Sequence, residues 1–453
     1  MIQRKVLDSL REWSRSKYRK PLVLRGARQV GKTTLVRELA KDYDVYLELN
    51  LENENERQLF ETGNDVQKTI TDLFFYKGVM KTDKSVLLFI DEIQYSKPAV
   101  AILRYFYEEA NYIHVVVAGS MLETVIDVRK ISFPVGRVQY MAIRPCSFIE
   151  FLRGIGDDFD VGLIESQADV SAIHFRMIEH FYKYILVGGM PAAIVRYAEN
   201  RDIVAVKEIY DSLLVTYKDD VEKYTGNALQ IQIIRTILDV GWYSAAEAVS
   251  FDKFGNTAFS SREMSKAFQI IQKAMLLELA YPTSSVQMPL SPNFRRRPKL
   301  LWLDTGLVNY YAGIQKEAFS VKNIEDVWRG RIAEHVVAQE LLTLDNSLLT
   351  TRIFWRREKG TSSAEVDFLY KFNSMAIPVE VKSGHNSKLK SLHLFMDECP
   401  HSIAVRVWSQ PFSIDDATTQ SGKQFRLINL PFYYVGQLEK ILEKYVSPVL
   451  MSR

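Results

Sequence analysis

The chain has 453 residues, 47% hydrophobic and 25% charged, the profile of a soluble globular protein of about three domains. A net charge of +3 sets no global bias toward polyanions, and no apolar run reaches the roughly 18–20 residues that span a bilayer. Cys146 and Cys399 are far apart without neighbouring metal-ligand patterns, which argues against a disulfide framework or zinc site. They fit a reducing compartment, and the opening MIQRKVLDSL lacks a signal-peptide core, so a cytoplasmic protein without membrane attachment is expected.

Residues 11–20, REWSRSKYRK, hold five Lys or Arg against one Glu, a pattern that usually marks a solvated face. Short apolar strands are then expected at Leu22–Leu24, Val45–Leu51, Val86–Ile90, Val115–Ala118 and Tyr140–Ile143. Helical patterns such as Lys32–Lys41 and Pro98–Ala110 separate most of them. Strands buried on both faces and joined by helices imply a parallel α/β sheet. After Pro145 the period becomes helical, with one helix from Ser147 and a long one over Ile203–Tyr224. Short helices follow and end in LLELAYPTSS, an arrangement that suits a winged helix. The basic run Arg295–Arg296–Arg297 lies in a stretch that reads as a connector. A helix over Val327–Leu342 then precedes strands Ala364–Lys371 and Ala376–Lys382, turned at Asn373–Ser374.

Gly26, Ala27, Arg28, Gln29, Val30, Gly31, Lys32 and Thr33 match GxxxxGK(S/T) between a strand and a helix that continues through Thr34. The glycines let backbone amides turn toward phosphate oxygens, and the helix N-terminus adds partial positive charge. Lys32 can reach the β- and γ-phosphates of ATP, and Thr33 can donate its hydroxyl to magnesium. The strand Val86–Ile90 delivers Asp91 and Glu92 to the sheet's carboxyl edge. Asp91 is placed to hold magnesium through water, and Glu92 to polarise the attacking water. Ser120, after strand Val115–Ala118, suits either a γ-phosphate sensor or a cap for a helix over Met121–Arg129.

With GARQVGKTTL, LLFIDEIQ, VVAGS, Phe133 to Arg137, Gly188–Gly189 with Pro191, and Pro298 to Gly306, the chain resembles a prokaryotic group of AAA-superfamily ATPases. Members of that group carry a C-terminal restriction-endonuclease-like domain of poorly known function. The resemblance implies an α/β P-loop ATPase core at 1–146, a helical lid at 147–224 and a winged-helix-like domain at 225–292. A connector at 293–324 and a nuclease-like α/β domain at 325–453 complete the division. It further implies that Arg137 contacts a γ-phosphate in its own or a neighbouring subunit. Gly188–Gly189 would form a lid turn near adenine, although a helix C-cap explains them equally well.

In the C-terminal part, alternation puts Glu380 and Lys382 on one strand face and Glu365 and Asp367 on a face of the preceding strand. Glu334 comes from the helix before them. Asp367, Glu380 and Glu334 can hold magnesium while Lys382 activates a water. This set resembles the PD-(D/E)xK nuclease core, and Arg356, Arg357 and Lys359 can meet a phosphate backbone. The resulting expectation is an ATPase whose cycle drives DNA binding or magnesium-dependent DNA cleavage, with a homo-oligomer as one possible assembly. The rival is a regulatory ATP switch that binds a protein partner, with an inactive nuclease-like scaffold.

Overall fold

Aliphatic runs too short for helices and buried on both sides become the central strands of the first sheet. β1 (Leu22–Arg25), β2 (Val45–Asn50), β3 (Val86–Asp91), β4 (Ile113–Ala118) and β5 (Gln139–Ala142) are all parallel, in the order β2-β3-β4-β1-β5. Helices cover both faces, and two apolar cores result: Leu24, Val36 and Phe89 on one side, Ile70, Leu88 and Leu103 on the other. The computed structural model describes residues 2–61, 65–80, 84–119, 133–167, 170–314, 326–358, 364–383 and 389–450.

Ser147 opens the helical region with a capping box to Glu150, satisfying two terminal N–H groups. The long helix expected over Ile203–Tyr224 is instead a 3-10 turn at Val204–Val206, a helix over Lys207–Asp219 and a final turn at Val221–Tyr224. Helices Ala228–Val240 and Ser261–Lys273 follow. Then β6 (Leu277–Ala280) pairs antiparallel with β8 (Lys299–Trp302). The stretch read as a connector therefore contains a strand and the helix Thr305–Tyr311. Burial of Leu300 and Leu301, and stacking of Trp302 on Trp242 at 3.8 Å, fix it in the core.

β7 (Pro282–Thr283), β9 (Phe354–Arg356) and β10 (Glu365–Val366) form a small sheet that joins the middle region to the last one. The last sheet has the order β11-β12-β13-β15-β14, from β11 (Phe368–Phe372), β12 (Met375–Lys382), β13 (Ile403–Trp408), β14 (Ser413–Thr418) and β15 (Gln424–Pro431). The single strand expected over 364–371 is broken at Asp367, because its two halves pair with different partners.

Helix Asp326–Leu342 runs between these units with His335, Gln339 and Glu340 all buried. Glu340 Oε1 accepts from the Phe148 N–H (2.9 Å) and the Tyr184 hydroxyl (2.8 Å). Burial pushes the Glu340 carboxyl up to about 7, although both bonds oppose the shift. The carboxyl therefore favours its protonated form in the fold. Its contribution to stability is complete below the ordinary value near 4.5 and is lost as pH rises through about 7. Glu340→Gln keeps the accepting oxygen without the charge. It should raise stability at pH 8, by at most on the order of 3 kcal/mol and visible as a higher melting temperature, and leave it unchanged near pH 4.5. Equal melting curves at both pH values would refute this account.

Candidate nucleotide site and acidic cluster

β1 is buried along its whole length and ends where the loop must pass under the Ile143 carbonyl, which a Cβ at Gly26 would strike. Gln29 (φ 64°) and Gly31 (φ 93°) then turn the backbone through the left-handed region into helix Lys32–Leu39. Ala27 and Val30 are buried beneath the loop, whereas Thr34 lies exposed on the helix's first turn. The Lys32 ammonium crosses the loop and donates to the carbonyls of Gly26 and Ala27, both at 2.9 Å. Burial lowers it to about 8 despite the nearby carboxylates of Glu92 and Asp91. Phosphate oxygens are the counter-charge such a buried ammonium lacks.

Thr33 Oγ1 donates to Asp91 Oδ2 at 2.8 Å, so the two oxygens expected around magnesium are already side by side, and the pair fits that ion. Glu92 sits in the left-handed region (φ 51°), which turns it away from the strand direction. Its Oε2 accepts from the Gln94 amide. Burial raises the Glu92 carboxyl, and the Gln94 bond partly offsets this. Gln94 was not expected as a functional residue: it stands two positions after Glu92 in a motif read for its acids, and only its burial marks it.

Other parts of the chain hold the loop from outside. Arg4 donates to the Val30 carbonyl (3.1 Å) and pairs with Glu150 (2.9 Å). Arg28 forms an ion pair with the buried Asp220 (2.6 Å), and a Cβ on Gly31 would lie 3.6 Å from Pro191. The helical region thus reaches the P-loop through Pro191 and Asp220. Gly188 ends helix His174–Val187 at φ 71°, and the Gly189 N–H donates to Asp304 Oδ2. Gly188 is the helix C-cap and its missing side chain makes room for Asp304, while Gly189 lies close against the Cys146 backbone. Arg137 is half exposed, paired with Glu108 at 2.7 Å and set beside the Tyr107 ring. Ser120, the helix expected over Met121–Arg129, and Lys359 lie outside the described residues.

The C-terminal acids do converge, but around a lysine. Lys299, on β8, is buried with its ammonium 3.0 Å from Glu334, 2.8 Å from Glu365 and 3.6 Å from Asp367. It lies 4.9 Å from the centre of the Phe354 ring. Burial pulls Lys299 down, yet the three carboxylates together hold it above its ordinary value. Asp367 Oδ2 also accepts from the Val381 N–H (2.8 Å), and Lys382 pairs with Glu380 at 2.8 Å. Burial and the neighbouring Asp367 charge raise both Glu334 and Glu380. Among the described residues no group of three or more His, Cys, Asp or Glu is disposed to hold a metal ion. A lysine opening the apolar string KLLW gave no sign that it fills the acidic cluster. Arg357 pairs with Glu398 at 3.1 Å, and Arg356 is partly buried.

Residues 18–152 match a family model described as an AAA domain. Residues 178–318 and 329–433 match two models described as domains of unknown function, DUF8612 and DUF4143. An uncharacterised protein of Methanocaldococcus jannaschii is 23% identical over 346 residues, which cover 70% of this chain and 66% of that relative. Among solved structures, the Orc1 protein of Aeropyrum pernix in complex with DNA is 11% identical, over 69% of this chain and 90% of its own, at a TM-score of 0.29. The RuvB Holliday junction branch migration motor of Thermotoga maritima is 14% identical, over 65% and 93%, at 0.27. Overlays this loose carry no argument about function. The AAA match and the P-loop geometry agree, and the first region is an α/β AAA-type ATPase core. No helix among the described residues is long and apolar enough to cross a membrane.

Two outcomes follow from this geometry. Glu92→Gln should bind ATP as the parent does but hydrolyse it roughly 10²–10⁴-fold more slowly; steady-state turnover beside nucleotide titration checks both, and parental turnover assigns the base elsewhere. Lys299→Ala should leave Glu334, Glu365 and Asp367 in mutual repulsion. Millimolar magnesium or manganese should then raise the melting temperature of this variant and not that of the parent, and equal metal responses in the two proteins would refute the substitution of ammonium for metal.

Proposed function

We infer that the chain is a cytoplasmic DNA-binding ATPase, in which the nucleotide cycle moves the helical and middle regions against the C-terminal one. Lys32 neutralises the phosphates, Glu92 receives the proton of the attacking water, and Gln94 orients Glu92. Magnesium held by Thr33 and, through water, by Asp91 would supply further charge neutralisation on the phosphate oxygens. Arg137 lies at the surface, where it can serve a neighbouring copy's nucleotide in a homo-oligomer.

The observation that carries the DNA part is the middle region. Helix Ser261–Lys273 exposes Arg262, Lys266 and Lys273 along one face at helical spacing. The connection between β6 and β8 exposes Phe294, Arg295, Arg296 and Arg297 together. A basic helix followed in the chain by an exposed basic loop between paired strands suits a winged helix on a phosphate backbone. The second reading is the ATP switch with a nuclease-like scaffold. The order helix Asp326–Leu342, β11, β12, helix Lys390–Glu398, β13 supports the PD-(D/E)xK likeness, while Lys299 among its acids favours scaffold over cleavage.

Replacing Arg295, Arg296 and Arg297 together by alanine should weaken duplex binding at low salt. It should also reduce the slope of log affinity against log salt by about 2 to 3. The measurement is a salt titration of duplex affinity, with ATPase activity followed with and without DNA. Unchanged slope and no response of turnover to any DNA would remove the DNA reading and leave the switch.

A further inference from the structure

A cleft of about 1030 Å³ opens where the three regions meet, reaching Ala27 of the P-loop but not lined by Lys32 or Thr33. Its walls include Arg25 and Tyr140 from the ATPase sheet, Arg144 just beyond β5, Gln272 and Glu278 from the middle region, and Arg352 before β9. The cationic side exceeds the anionic one. Glu278 takes Arg352 in a fork, through Nε at 3.1 Å and Nη2 at 2.9 Å, and leaves Arg352 Nη1 buried without a hydrogen-bond partner among the described residues. Among the described residues, Arg144 donates to the Ser347 carbonyl at 3.4 Å, and its Nε is buried there without a hydrogen-bond partner. Arg25 and Arg144 are both lowered to about 10, each by burial first, and Arg144 is lowered further by the Arg352 charge beside it. Arg144 and Arg352 thus lie side by side near the Glu278 carboxylate, which Arg352 already holds.

Unsatisfied buried donors on fixed charges are costly, and a fold keeps them where a ligand supplies the acceptors. Guanidinium groups match phosphate oxygens in pairs, as carboxylate–Arg forks do. At the cleft mouth Tyr140 is half exposed and meets Phe133 edge to face at 6.2 Å between ring centres, which offers a flat apolar ring to a planar group. The volume suits a ligand of nucleotide size.

We propose that this cleft is a second ligand site, distinct from the Lys32 and Thr33 phosphate cradle, that takes a small phosphorylated molecule with its phosphate between Arg144 and Arg352. The site stands next to the nucleotide loop in the chain: the Ile143 N–H donates to the Arg25 carbonyl at 2.6 Å, one residue before Gly26. A ligand that pulls on Arg25 and Arg144 therefore acts on the strand end that carries the P-loop.

The test uses full-length Lys32→Ala protein, so that binding at the P-loop does not obscure the second site and the result does not depend on the ATPase or DNA readings. Calorimetric titrations with inorganic phosphate, pyrophosphate, AMP and adenosine are compared with the same titrations after adding Arg144→Gln or Tyr140→Leu. Circular dichroism confirms that each variant is folded. Tyr140 is exposed enough that its variant remains a usable probe if the Arg144 variant misfolds. The expected result is binding of pyrophosphate or AMP, weakened roughly tenfold or more by Arg144→Gln. AMP binding alone should be weakened by Tyr140→Leu. No binding of any phosphate-bearing probe at 10⁻² M order concentrations overturns the proposal, as does equal affinity for adenosine and AMP. So does loss of duplex DNA affinity on Arg144→Gln without any small-molecule binding, which would make the cleft part of the DNA surface.

Discussion

Burying His335, Gln339 and Glu340 on helix Asp326–Leu342 obliges these groups to find partners, and the partners come from the helical and middle regions. The bonds form a consistent chain of donation. The Trp302 N–H donates to His335 Nε2 at 2.9 Å, so the ring carries its proton on Nδ1 and gives it to Thr305 Oγ1 at 2.8 Å. Burial lowers His335 to about 3, which keeps the ring neutral as this arrangement needs. Thr305 Oγ1 donates to Gln339 Oε1 at 2.9 Å, and Gln339 Nε2 donates to the Tyr184 hydroxyl at 2.9 Å. Tyr184 in turn reaches Glu340 and the Cys146 carbonyl. A network closed in this way rewards one arrangement of the regions and penalises partial opening, because each broken bond leaves a dry polar group.

The same network runs to the nucleotide loop. Asp304, buried and raised to about 6 by that burial, accepts from Gly189 and caps helix Thr305–Tyr311 through the Leu307 N–H at 3.0 Å. Two residues after Gly189 comes Pro191, the residue nearest Gly31. The turn at Gly188–Gly189 therefore links the P-loop to the buried helix through two short steps. Movement of the loop on phosphate contact would be felt first at Pro191 and at the Arg28–Asp220 pair, then at Asp304. This is a physical route between defined groups, and it explains why the helical region is pinned at both ends.

What could be read from residues alone divides along local and long-range causes. The P-loop, the Asp91–Glu92 strand end, the parallel sheet and the hairpin at Asn373–Ser374 were legible because each signal lies within a few neighbouring residues. The strand Lys299–Trp302 was not. It is four residues long, begins with a charged residue, and owes its conformation to β6 and to stacking on Trp242. Helix Asp326–Leu342 shows polar residues that look solvent-facing in sequence, and only tertiary packing makes them buried. The face sharing of Glu380 and Lys382 followed from alternation. The break at Asp367 did not, because it depends on β9 taking one half of the strand and β12 the other.

Lys299 ties these observations to the acidic cluster. One short strand offers its first side chain to Glu334, Glu365 and Asp367 and its last backbone N–H to His335. Between them Leu300 exchanges backbone bonds with the segment just after the 3-10 turn Gly241–Ser244, its carbonyl accepting from the Ala246 N–H and its N–H donating to the Glu247 carbonyl. Withdrawing Lys299 would thus require the strand to leave both its own core and the buried helix, while three carboxylates were left facing one another. Removing one partner of such a buried set is far more costly than the set is stabilising. The ammonium is consequently a joint between the middle and C-terminal regions. Any chemistry at those acids has to begin by undoing the contact that holds the two regions together.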